Sequence, residues 1–178
     1  MSGRTWLCAD HHLWHANILN FKDTDGKLIR GSRFKDMEHH DNMLVEYHND
    51  IVADSDRVYF LGDVCINKKG LPTLARFRGR KVLVRGNHDI FEAKEYLKYF
   101  DDIRAYVVQK TQDGRKVILS HIPIHPESLG RWGINITGHL HQNKLDDPRY
   151  LCVSLEHTDY KPILLQEALK LVPKVVEE

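Results

Sequence analysis

Five short apolar runs in this chain each lead directly into side chains that can bind metals, and that repetition constrains the fold more than any other feature. Val82-Leu83-Val84 runs into Gly86-Asn87-His88-Asp89, and Trp6-Leu7-Cys8-Ala9 runs into Asp10 and His12. Val58-Tyr59-Phe60-Leu61 precedes Gly62-Asp63, Val117-Ile118-Leu119 precedes His121, and Ile134-Asn135-Ile136-Thr137 precedes Gly138-His139-Leu140-His141. Short β-branched and aromatic runs bounded by turn formers read as strands. The chain therefore presents donor side chains at the ends of several strands.

The same criteria predict strands over Thr5 to Ala9, Arg57 to Leu61, Lys81 to Arg85, Tyr106 to Thr111, Arg115 to Ser120, Ile134 to Thr137 and Leu151 to Leu155. Asp113-Gly114 predicts a tight antiparallel hairpin, because glycine tolerates the positive φ of such turns. Met37, His40, Leu44, Tyr47 and Ile51 recur at spacings of three and four, which predicts a helix from about Asp36 to Val52. Shorter helices are expected from Pro72 and over Phe91 to Tyr99. Strand and helix alternate early, so parallel neighbours joined by crossovers are expected, and the later hairpin makes the sheet mixed. The fold class is α/β. The polar stretch from Lys22 to Arg33 reads as a mobile surface loop, and Glu177-Glu178 as a frayed end.

A chain of 178 residues fits one domain, residues 1–178. Its 26 basic and 25 acidic residues leave a formal charge of +1, which argues against a strong nucleic-acid surface. No apolar run approaches the roughly 18 residues a membrane span needs, so no membrane partner is expected. Cys8, Cys65 and Cys152 are widely spaced and read as buried free thiols. With an N-terminus lacking an apolar signal segment, they predict a reducing, cytoplasmic location.

In open α/β sheets ligands bind beyond the carboxyl ends of the strands. If the strands are neighbours, Asp10, His12, Asp63, Asn87, His121, His139 and His141 converge there. Capping of strand ends and helix starts would explain the Asp and Asn residues, but it gives no reason for imidazoles at several separate strand ends. Seven donors exceed one tetrahedral ion and suit two ions bridged by one carboxylate, for which Asp63 is the natural choice. Oxygen and imidazole donors without thiolate favour two divalent transition-metal ions: Mn²⁺ foremost, with Fe, Zn²⁺ or Ni²⁺ as alternatives. Gly62, Gly86 and Gly138 read as residues that let the backbone approach the site.

Asp10-x-His12, Gly62-Asp63, Gly86-Asn87-His88-Asp89, His121 and Gly138-His139-x-His141, in that order, resemble the five motif blocks of the calcineurin-like metallophosphoesterases. The likeness runs from about Trp6 to His141, and Asp159-Tyr160-Lys161-Pro162 extends it toward a C-terminal strand. The start Asp10-His11-His12-Leu13-Trp14-His15 most resembles small, uncapped bacterial and phage phosphoesterases. The resemblance implies a four-layer-like β-sandwich of two mixed sheets flanked by helices. It assigns Asp10, His12 and His141 to one ion, Asn87, His121 and His139 to the second, and Asp63 to both.

It further implies that His88 serves the leaving-group oxygen as donor or general acid, with Asp89 orienting it, while hydroxide from a metal-bridging water attacks phosphorus in line. His15 and the bidentate fork of Arg33 are candidates for holding substrate, and solvated loop positions explain them equally well. The reading that follows is a phosphodiesterase acting on a small phosphoester, nucleotide-like in one version. A phosphomonoesterase is the alternative and would need extra cations, for which Arg33 and Arg131 are candidates. A non-catalytic interaction module is the third. Asn67 followed by Lys68 departs from the G-D-x-x-D-R-G block of the protein phosphatases in this family.

Overall fold

The computed structural model describes residues 3–111 and 114–172; the expected turn residue Asp113 and the terminal Glu177-Glu178 lie outside them. Among the described residues nine strands form two mixed sheets. In the first, β1 (Thr5–Cys8), β2 (Arg57–Phe60), β3 (Arg80–Val84) and β4 (Asp102–Arg104) run parallel, and β9 (Ile163–Leu164) adds to β1 antiparallel, giving the order β4-β3-β2-β1-β9. In the second, β5 (Val107–Lys110) pairs antiparallel with β6 (Lys116–Leu119), as the hairpin signal predicts, and β7 (Ile134–Thr137) and β8 (Tyr150–Cys152) continue in parallel.

Period-two alternation divides the core. Leu7, Ala9, Tyr59, Leu61 and Val84 pack with Val117, Leu119, Ile134 and Ile136 of the second sheet. Their sequence neighbours Trp6, Cys8, Val58, Phe60 and Leu83 pack with Leu44, Val45, Leu71, Leu74 and Phe77 from the helical segments. A strand buried on both faces has no polar face to show, which is why these runs read as continuous apolar stretches.

Helix α1 (Met37–Asn49) starts where Asp36 caps it, accepting the His39 N–H at 2.7 Å. The helix expected from Pro72 is instead a 3₁₀ segment, Lys68–Arg76, with Asn67 as its cap. Pro72 lies inside it, and a proline there removes the N–H an α-helix would need. Only Ala93–Tyr96 (α2) of the third expected helix forms, because Arg85 holds the preceding chain, donating to the Asp89 carbonyl at 2.7 Å and the Phe91 carbonyl at 2.6 Å. The last expected strand stops at Cys152, and Leu155–His157 turns into a 3₁₀ segment after a bridge between Ala9 and Ser154. Strands β4 and β9 were not expected from local pattern, being short and polar or preceded by proline. A final short helix, α3 (Leu165–Ala168), packs on β1 and β9.

One surface expectation is corrected. The 22–33 stretch is anchored, since Arg30 is wholly buried. His40 is buried with the apolar face of α1, as its spacing predicts, and His11 and His48 are buried as well.

The registers place the site. Cys8 lies beside Phe60, and Phe60 beside Leu83, so the turns after β1, β2 and β3 leave the first sheet at one level. Cross-sheet hydrogen bonds bring the other two turns to them: His121 Nδ1 lies 2.8 Å from the Leu61 carbonyl, and the His139 N–H donates to Asp10 Oδ2 at 2.9 Å.

Candidate metal centre

Asp10, His12 and His141 bring one donor atom each within 4.8 Å of one another, and Asp63, His121 and His139 do the same. The two trios adjoin through Asp63, whose Oδ2 lies 3.7 Å from His12 Nε2 and 3.3 Å from His121 Nε2. Asn87 joins the second trio, its Oδ1 lying 2.8 Å from His121 Nε2. All seven side chains expected to converge are thus brought to one place.

Asp10 Oδ1 and His12 Nε2 are buried without a hydrogen-bond partner. An unpaired buried carboxylate oxygen costs on the order of 1–3 kcal/mol or more. A cation between them satisfies both, so the donor set fits divalent metal. Burial drives the His12 pKa well below its ordinary value, favouring the neutral ligating imidazole, and raises that of Asp10 against the lowering effect of His141. Burial would also lower His121, but the hydrogen bond and charge of Asp63 outweigh it and raise it.

Backbone conformation adds an independent sign. Asp10, His12, Asp63, His139 and His141 all have positive φ, between 50° and 69°. Asp and His tolerate this region better than most residues, yet each such residue costs on the order of 1–3 kcal/mol and persists only where surroundings over-determine it. Glycines make the close approach possible. A Cβ on Gly62 would lie 2.4 Å from His121 Nδ1, and one on Gly86 2.3 Å from Asp63 Oδ1.

Outside the donors lies a layer that the sequence reading missed. His141 Nδ1 lies 3.0 Å from Glu156 Oε1, and that oxygen also accepts from Arg30 Nε at 2.8 Å. Arg30 extends to the Asp10 carbonyl at 2.6 Å and the His11 carbonyl at 3.2 Å. Burial would raise the Glu156 pKa, but Arg30 and His141 hold it down at about 2. Ser154 donates to Asp10 Oδ2 at 2.6 Å. One signal could have exposed Ser154 and Glu156: they follow the apolar run Leu151-Cys152-Val153 as the other donors follow theirs. Nothing local marks Arg30.

The remaining expected residues divide. The His88 ring lies 5.5 Å from that of His12 and 6.4 Å from that of His15, and the His88 backbone N–H donates to Asp63 Oδ1 at 2.8 Å. His15 is at the site too, its Nδ1 lying 3.4 Å from His12 Nδ1. Arg33 is engaged elsewhere, paired with Asp159 and lying over the rings of Tyr160 and Tyr47 at 4.9 and 5.5 Å. Asp89, expected to orient His88, is engaged with backbone. Its carboxylate accepts the N–H groups of Asp63, Val64 and Gly86 at 2.9, 2.9 and 2.8 Å, so it ties two donor loops together rather than holding the His88 ring.

An uncharacterised protein of Methanocaldococcus jannaschii, MJ1445, is 31% identical over 183 residues, spanning 96% of this chain and 92% of that protein. The gene 66 protein of mycobacteriophage L5 is 30% identical over 90 residues, covering 48% of this chain and 39% of its own. A crystal structure of the protein of unknown function AQ665 from Aquifex aeolicus superposes with a TM-score of 0.73 at 28% identity, covering 96% of this chain and all of that one. The calcineurin-like phosphoesterase family model matches residues 3–175, and with the paired donor groups at the strand ends this establishes that the chain belongs to that family.

Proposed function

We propose that this chain forms one binuclear metal-dependent phosphodiesterase domain acting on a small, nucleotide-like phosphodiester. The observation that carries the reading is the position of Asp63 Oδ2, within 3.7 Å of an imidazole nitrogen of each donor group. Asp10, His12 and His141 would hold one ion, Asn87, His121 and His139 the other, and Asp63 both, with Mn²⁺ the ion to test first. Two bound divalent ions supply charge neutralisation for phosphoryl oxygens and acidify water toward neutral pH.

The side chains do the rest. Glu156 facing His141 Nδ1, and His15 facing His12 Nδ1, leave the Nε2 atoms free to ligate. His88 is tied through its backbone to the bridging carboxylate and is half-buried, so its imidazole can donate a proton to a leaving oxygen at the site's open side.

Two clefts support a diester over a monoester. One, of about 580 Å³, adjoins Asn87 and His121; the other, of about 320 Å³, adjoins His139 and His141 and is lined by Phe21 and Lys22. A diester has two organic substituents to place. Lys22 is the observation favouring the monoester, since it could face a terminal phosphate. The three cysteines are buried free thiols, which supports a cytoplasmic setting; no helix among the described residues is long and apolar enough to cross a membrane.

The test compares initial rates on bis-p-nitrophenyl phosphate and p-nitrophenyl phosphate after chelation and then with Mn²⁺. Hydrolysis restored by metal, favouring the diester and stopping at the monoester, supports the proposal. Preference for the monoester transfers it to the phosphatase, and inactivity with every metal on both esters overturns it.

A further inference from the structure

The 580 Å³ cleft beside Asn87 and His121 is built unlike the rest of the centre. Its walls are Ile103, Ala105, Ile118, Ile122 and Ile124, with Tyr106 and the cations Arg85 and Arg104. Ile122 and Tyr106 are 55% and 54% exposed. Scattered exposed apolar residues need no explanation, but two large ones lining one cavity against a candidate metal donor do.

Their exposure is not slack in the loop. Ser120 Oγ donates to the Ile122 carbonyl at 2.7 Å, Asn135 Oδ1 accepts the Ile124 N–H at 2.9 Å, and the Tyr150 hydroxyl donates to the Ile124 carbonyl at 2.7 Å. Asn135 is wholly buried and also donates to Ser120 Oγ at 2.9 Å. A buried polar network thus fixes the segment that begins at His121 and holds Ile122 out toward solvent. Rigid apolar walls with a few fixed polar groups are what a binding cleft requires.

We infer that this cleft binds the planar ring, nucleobase or aryl, of one ester substituent while its phosphate lies at the donor cluster. His121 belongs to both places, and Asn87, whose Oδ1 lies 2.8 Å from His121 Nε2, lines the cleft as well, so the cleft opens directly from the phosphate position. Tyr106 offers an aromatic face, and aromatic side chains stack any base because every base has a π-face. Arg104 also lines the cleft, held through Nε to Asp102 at 2.7 Å, and planar guanidinium groups stack on rings. Among the described residues no carboxylate lines the cleft to repel a phosphate ester. The inference rests on the phosphoesterase reading for the position of the phosphate, and names the substrate class of that site.

The test is equilibrium binding to the full chain loaded with Mn²⁺, which does not depend on turnover. The probes are methyl phosphate, cyclohexyl phosphate, phenyl phosphate and thymidine 5′-monophosphate. Phenyl phosphate and the nucleotide should bind about tenfold more tightly than methyl phosphate, a ratio consistent with one stacked ring. Tyr106→Ala and Ile122→Ser, both at exposed positions and each checked for retained fold by circular dichroism, should bring that ratio down to within about threefold. Equal affinity for methyl and phenyl phosphate overturns the inference, as does a preference that survives both substitutions. Cyclohexyl phosphate binding as well as phenyl phosphate also overturns it, by showing an apolar slot indifferent to planarity. Intact ring preference with no hydrolysis of any ester would instead remove the hydrolase reading and leave the cleft assignment standing.

Discussion

His141 Nδ1 and Glu156 Oε1 lie 3.0 Å apart, and the same carboxylate is gripped by the Nε and Nη2 of the fully buried Arg30, whose Nη2 also donates to the Asp10 carbonyl. One ion pair therefore braces two members of one donor trio from behind.

Glu156→Gln keeps the size of the side chain and removes its charge. Mutating the carboxylate partner of a metal-binding imidazole typically costs 10- to 100-fold in metal affinity, so Mn²⁺ titrated into the variant by calorimetry should bind about that much more weakly in one step. Two binding steps identical to those of the parent would show that Glu156 does not orient His141.

His88 is expected to act on substrate and not on metal. His88→Ala should lower kcat by about 10² to 10⁴ while leaving metal content unchanged. Measured on a diester with an alkyl leaving group, which most needs a proton, full turnover would exclude the acid role.

Asp89 gives the opposite pattern. With its carboxylate holding three backbone N–H groups, Asp89→Asn should destabilise the fold by about 1–3 kcal/mol. The pH dependence of its kcat should match the parent's. A displaced pH profile in a variant of normal stability would return Asp89 to a role in tuning His88.

Asp56 provides a pH test remote from the metal donors. Burial would raise its pKa, but the Trp6 indole, the Ala53 N–H and both donors of Arg4 hold it at about 2 against an ordinary 3.8. A depressed carboxylate stabilises the fold above its unfolded pKa and loses that contribution as pH falls through the folded one. Asp56→Asn should therefore cost about 2 kcal/mol at pH 7, shrinking by about half at pH 3. Urea unfolding across that range measures it, and a cost independent of pH would contradict the assignment.

The elements that bury apolar side chains on both faces announced themselves, because a short strand such as Val82-Leu83-Val84 between turn formers has few other readings. Convergence of Asp10, Asp63 and His121 was also legible, since each follows such a run. Residues acting across long sequence distance left little trace. Arg30 reaches Glu156 over 126 positions, and its burial depends on a partner that local pattern cannot show. Asp89 misled for a related reason: adjacency to His88 in sequence suggested contact, whereas the turn points its carboxylate at the loop after β2.

The positive φ of Asp10, His12, Asp63, His139 and His141 changes what mutagenesis can report. Alanine at any of these positions deletes a donor and also places a residue poorly suited to that backbone, so lost activity mixes two causes. Asparagine adopts this conformation with less penalty than alanine but still offers an oxygen donor, as Asn87 does, so it tests the backbone without cleanly deleting the ligand. Glycine goes further, removing the donor and relaxing the chain together. A glycine variant that is inactive yet melts higher than its parent would reveal a centre assembled against the local preference of its own backbone.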